Sequence, residues 1–126
     1  MIMKDERQCV GYSKYRSRLV DGHVHTELCP HGSGDRTAMM IEKAIELRIE
    51  KVCLTEHAPL PTAFAAEYGG DKKAYDTASL KLNEVDTYLE LGRQLQRAYG
   101  THIDISLGFE VDYIPGFESD ILEFLD

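Results

Sequence analysis

What this chain lacks narrows its function before any motif is considered. It holds no apolar run long enough to span a bilayer, and no apolar signal-peptide core near its N-terminus. Cysteine is scarce. Cys9, Cys29 and Cys53 form an odd set without a CxxC pair, which is not a disulfide framework and suits a reducing cytoplasm. Positive charge is in deficit: 14 Lys and Arg against 22 Asp and Glu leave a formal net charge of -8. That disfavours a nucleic-acid backbone as the main partner, which wants a basic surface. A small phosphorylated ligand remains compatible, because bound cations reverse the local sign of a site. There is no GxSxG elbow and no GxxxxGK[ST] loop, and Gly32-Ser33-Gly34 lacks the strand-to-helix setting of a dinucleotide fingerprint. Internal repeats and low-complexity segments are also absent.

What remains is the composition of one globular domain. With 126 residues, 43% hydrophobic and 29% charged, the chain is long enough for one core and too short for two. Residues 1–18 read as a polar leader with little regular structure, and residues 19–126 as the folded part. A first strand is expected over Arg18 to His23. After the Gly32–Asp35 loop, Thr37 reads as the cap of a helix with Met40, Ile41, Ala44, Ile45 and Arg48 inward and Glu42, Lys43 and Glu46 outward. Lys51 to Thr55 is a strand apolar on both faces, suited to cover on both sides. Ala58-Pro59-Leu60-Pro61 breaks regular structure, and Thr62 to Thr77 reads as a long loop. A helix from about Ser79 carries the stripe Leu82, Val85, Leu89, Gly92 or Leu95, and Tyr99, with Gly100 as its C-terminal cap. Ile103 to Val111 is the third strand, Ile114-Pro115-Gly116 a turn, and Phe117 to Leu125 a final helix. This alternation predicts an α/β fold with a parallel sheet and right-handed crossovers.

The chemistry gathers at the strand ends. Asp21-Gly22-His23-Val24-His25 places two imidazoles on one face of an extended segment, able to share a metal ion. His31 follows on the next turn. His57 ends the second strand and Glu110 the third, so the candidate ligands of all three strands fall on the C-terminal edge of the sheet, where parallel α/β folds place their sites. Nitrogen and carboxylate donors suit zinc, iron or manganese. Glu110, with two oxygens, can bridge two ions, and paired ions suit phosphoryl transfer. Glu56, Asp112 and Glu27 are candidates to orient imidazole N–H groups. Cys29, between His25 and His31, could serve as a soft ligand but is set aside as a structural turn residue, and His102, at the opposite edge, as surface.

The stretches Asp21–Thr26, Cys29-Pro30-His31-Gly32, Thr55-Glu56-His57-Ala58-Pro59-Leu60-Pro61 and Gly108–Gly116 resemble the polymerase and histidinol phosphatase (PHP) superfamily, and within it the monofunctional histidinol-phosphatases. The resemblance covers roughly Leu19 to the end of the chain. It implies the N-terminal portion of a distorted (β/α)7 TIM-like barrel with a trinuclear divalent-metal site. It also implies a cytoplasmic hydrolase that converts L-histidinol phosphate to L-histidinol and phosphate in histidine biosynthesis, with no nucleic-acid or membrane partner. By motif, His23 and His25 would bind a first metal, Glu110 would bridge it to a second, and His31 and His57 would bind a third. The family's further ligands, histidines and an aspartate, come from later strands, and the expectation is a truncated barrel with impaired activity. The alternatives are a non-catalytic metal-binding fragment, or a PHP domain of another phosphoesterase or of a nuclease.

Overall fold

The computed structural model describes residues 18–68 and 70–126. The expected leader lies outside the described residues but for Arg18, whose guanidinium pairs with Glu50 at 3.3 Å. Three parallel strands form one sheet in the order β1 (Val20–Val24), β2 (Lys51–His57), β3 (Asp104–Glu110). Among the described residues, four α-helices follow or separate them: α1 (Thr37–Glu46), α2 (Lys72–Ala78), α3 (Val85–Tyr99) and α4 (Glu118–Leu125). The α/β class and the parallel sheet are as expected.

Side-chain parity decides which face of the sheet is covered. Along β2, Val52, Leu54 and Glu56 are buried, whereas Lys51, Cys53, Thr55 and His57 are half-buried. Val52 and Leu54 join Ile105 of β3, Ile41 and Ala44 of α1, and Tyr88 and Leu95 of α3 in a single apolar cluster. Among the described residues, then, helices cover one face fully, and the other, which carries His57, is only partly covered. Each large aliphatic side chain in that cluster contributes about 1.5–3 kcal/mol by leaving water. The Tyr88 hydroxyl lies 2.9 Å from the Leu54 carbonyl and 2.8 Å from that of Gly108, and so ties β2 to β3 close to their C-terminal ends.

Several local expectations give way to backbone chemistry. Thr37 does not cap α1: its hydroxyl accepts the Glu27 N–H at 3.1 Å and its N–H donates to the Glu27 carboxylate at 2.7 Å. This reciprocal pair fastens the loop containing Cys29 and His31 to the start of α1. Arg48 lies beyond α1, exposed, with φ of 60°. The expected 62–77 loop contains a 3-10 turn (Thr62–Ala66) and α2, which starts where the Asp71 carboxylate accepts the Ala74 N–H at 3.0 Å. Leu82 sits on a 3-10 turn and is 71% exposed, so α3 begins only at Val85, and Tyr88, absent from the expected stripe, is its most deeply buried aromatic residue. Gly92 is there because of close approach: a Cβ at that point would lie 2.2 Å from Cδ2 of Leu107 on β3.

Candidate metal centre

The register of the sheet assembles the site. β2 and β3 run in step from Lys51 opposite Asp104 to His57 opposite Glu110, so these two strand-terminal residues are direct neighbours. β1 pairs with β2 through an irregularity between Asp21 and Val24. His23 lies within that irregular stretch, and His25 just past the end of the strand.

Three donor atoms meet at this edge. Nε2 of His23 is 2.9 Å and Nε2 of His25 is 2.8 Å from Oε2 of Glu110, and the two nitrogens are 3.1 Å apart. His57 sits at the rim of this triangle, with Nδ1 3.5 Å from the same Glu110 oxygen. Its ring packs edge-on against His25 at 4.5 Å, and the His31 ring lies 4.9 Å from it. All five residues singled out in the sequence, His23, His25, His31, His57 and Glu110, therefore stand at one corner of the molecule. The backbone continues the junction, with the N–H of Ala58 donating to the carbonyl of Glu110 at 2.9 Å.

The electrostatics favour a cation there. Partial burial opposes ionisation of Glu110, but hydrogen bonds from His23 and His25 and the nearby His57 outweigh it and hold the carboxyl below its usual range. Nδ1 of His57 is buried and without a hydrogen-bond partner. Imidazole nitrogens and a carboxylate oxygen offer lone pairs, and such crowding requires protons or a cation among them. Atoms spaced this closely can all reach one ion at the ~2.0–2.2 Å of nitrogen and oxygen ligation. The donor set thus fits a divalent metal.

A second cluster lies directly behind. A ring nitrogen of His25, Sγ of Cys29 and a carboxylate oxygen of Glu56 fall within 4.8 Å of one another. Glu56 is completely buried. Its Oε1 accepts both the N–H and, at 2.7 Å, the hydroxyl of Thr26, while Oε2 has no partner. Burial, reinforced by the charge of Glu56, pushes the Cys29 thiol up and keeps it neutral. Sequence reasoning set Cys29 aside; the four-residue spacing from His25 across a turn was the available signal. Of the three carboxylates considered as imidazole partners, Glu27 instead serves Thr37, Asp112 is exposed on the loop after β3, and only Glu56 lies behind a histidine. His102 is exposed ahead of β3, as expected.

Known proteins resemble this chain. Residues 21–125 match the PHP domain family. The chain is 37% identical over 106 residues to a histidinol-phosphatase of Bacillus subtilis strain 168, covering 84% of this chain and 38% of that protein. It is 27% identical over 107 residues to a probable histidinol-phosphatase of Deinococcus radiodurans, covering 85% and 37%. The crystal structure of a candidate histidinol phosphatase from Listeria monocytogenes superimposes with a TM-score of 0.81 at 40% identity, covering 84% of this chain and 39% of that one. The chain spans about two fifths of the length of these relatives.

Proposed function

Because this chain belongs to the PHP domain family, we propose that it forms part of a metal-dependent phosphomonoesterase that hydrolyses L-histidinol phosphate to L-histidinol and phosphate. The observation that carries the reading is the meeting of His23, His25 and Glu110 at 2.8 to 3.1 Å, with His57 3.5 Å from the same oxygen. The similarity to histidinol-phosphatases at 37% and 40% identity supports the choice of substrate.

In this reading His23 and His25 would hold a first ion, Glu110 would be shared between it and a second, and His31 with His57 would hold a third. Bound ions of this kind supply a water of lowered pKa as nucleophile and positive charge for the phosphoryl oxygens. The chain's own contribution is placement. β2 and β3 hold His57 and Glu110 side by side, β1 brings its two imidazoles onto Glu110, and the Glu27–Thr37 pair holds the loop carrying His31. Glu110, kept ionised by His23, His25 and His57, would supply negative charge to offset that of bound ions. The phosphate would occupy the open side of this edge, where His23 and His31 are exposed. The three parallel strands belong, in the same reading, to a distorted (β/α)7 barrel whose N-terminal portion spans residues 19–126. The similarity to the Listeria structure supports this. No helix of the described residues is long and apolar enough to cross a membrane, and Cys29 and Cys53 are unpaired, which supports a cytoplasmic setting.

The test is phosphate release by the full-length protein loaded with zinc, iron or manganese. Histidinol phosphate should be turned over faster than nucleoside monophosphates. Faster cleavage of single-stranded DNA than of histidinol phosphate would place the protein with the nucleases instead.

A further inference from the structure

The sulfur of Cys29 stands between two of the proposed ligands. Sγ is 3.5 Å from Nδ1 of His25 and 3.7 Å from Nδ1 of His31, both within the reach of a hydrogen bond to sulfur. Neither Nδ1 makes another hydrogen bond among the described residues. In His25 the opposite nitrogen, Nε2, is the one that faces Glu110. A histidine that offers Nε2 to a metal must carry its proton on Nδ1, and that N–H needs an acceptor; metalloproteins usually provide a carboxylate, a carbonyl or water. Here the polar atom within hydrogen-bonding reach of both is a buried thiol sulfur.

The geometry points to Cys29 as the positioning residue of the metal centre: its sulfur accepts the Nδ1–H of both His25 and His31, fixing two ligands of two different ions in their metal-binding tautomer with one atom. This rests on the reading of those histidines as ligands. In this arrangement the sulfur is an acceptor and not a ligand, and an ion held jointly by Nδ1 of His25 and the sulfur would require that one imidazole bind ions through both nitrogens.

Local structure is built around this position. Cys29 is 7% exposed. Its N–H donates to the Thr26 carbonyl at 3.1 Å, and its own carbonyl accepts the Gly32 N–H at 3.2 Å. A Cβ at Gly32 would come within 3.1 Å of the Cys29 Cβ and 3.6 Å of its sulfur, so the turn closes tightly over the side chain. Thr26 is fastened in turn to the buried Glu56. The sulfur therefore sits at a fixed point relative to both rings, as an orienting acceptor must. Sulfur has lone pairs for two N–H donors, whereas Ala and Val have none and Ser keeps an acceptor oxygen.

Three variants of the full-length protein separate the roles. Cys29→Ser retains an acceptor, Cys29→Ala removes it, and Cys29→Val removes it while filling the space. Zinc affinity is read by competition with a chromophoric chelator and stoichiometry by elemental analysis. The Nδ1–H signals of the zinc-loaded protein are read by nitrogen-15 NMR. Loss of an outer hydrogen bond typically weakens metal affinity by roughly 10–100-fold. The expected result is a loss on that scale in the Ala and Val variants, recovery to within a few-fold in the Ser variant, unchanged stoichiometry, and faster solvent exchange of two Nδ1–H protons in the Ala and Val variants but not in the Ser variant. Equal affinity and equal exchange in all three variants would overturn the assignment. So would loss of a whole equivalent of zinc in the Ser variant, which would make the sulfur a ligand. A parent protein that takes up no zinc would instead refute the metal-centre reading itself.

Discussion

Replacing Tyr88 by Phe removes one oxygen from the point where the sheet is clamped beneath the site. The ring is fully buried and packs against Phe109 at 5.3 Å, so Phe leaves the apolar contacts and the cavity unchanged. What is lost is the hydroxyl, 2.9 Å from the Leu54 carbonyl and 2.8 Å from that of Gly108. With one proton it donates to one of them at a time, so the loss is that of one buried hydrogen bond, plus some exposure of the other carbonyl to an apolar neighbour. The expected cost is about 1–2 kcal/mol, against about 3–5 kcal/mol for a cavity-forming Tyr88→Ala change. The pH dependence carries a second signature. Burial raises the phenol's pKa above its ordinary 10.0, the charge of Glu56 adds to this, and backbone hydrogen bonds only partly offset it. Folding therefore favours the neutral form, so the contribution is complete below pH 10 and is lost as pH rises through the folded value. Equilibrium unfolding in urea, measured at neutral pH and again above pH 10, tests both parts. Tyr88→Phe should lower the midpoint at neutral pH without changing the slope, and should lose less stability than the parent on going alkaline. A change below about 0.3 kcal/mol, or one as large as the cavity cost, would refute the reasoning.

Other perturbations act closer to the metal centre. Glu27→Ala frees the Thr37 N–H that begins α1 and should cost roughly 1 kcal/mol; amide exchange at Thr37 should accelerate and zinc affinity should fall, whereas Glu27→Gln should keep most of both. Gly92→Ala puts a methyl group into Leu107, and despite the better helix propensity should destabilise by about 1–3 kcal/mol in a thermal melt. Stripping metal with a chelator should lower the melting temperature, since an ion held at a hundredfold excess over its dissociation constant adds about 2.7 kcal/mol; an unshifted melt would argue against a bound ion.

The framework of the site was legible because it depends on periodicity. Two imidazoles at alternate positions, and single donors at the ends of two further strands, need only the parity of an extended chain and the rule that parallel sheets place their chemistry at the C-terminal edge. His57 and Glu110 could be assigned to one edge in this way; that they are register partners is a property of the sheet itself. What remained hidden depends on contacts between distant turns. Glu56 looks like one more strand-end carboxylate, yet parity turns it to the helix side, where Thr26 meets it. Cys29 looks like a turn residue, and only the folded loop shows its sulfur between two rings. The Glu27–Thr37 pair spans ten residues of loop and cannot be seen as a capping motif of standard spacing. Tyr88 escaped because a phenol beside the charged residues Asp86 and Glu90 reads as surface until two strand carbonyls are brought to it.

A metal ion held among His23, His25 and Glu110 is tested most directly by elemental analysis of the purified protein. Parent protein and the His23→Ala, His25→Ala double variant, prepared side by side and desalted, should differ by at least one equivalent of zinc, iron or manganese per chain, with the variant folded by circular dichroism. Equal metal content in the two would contradict the site as described.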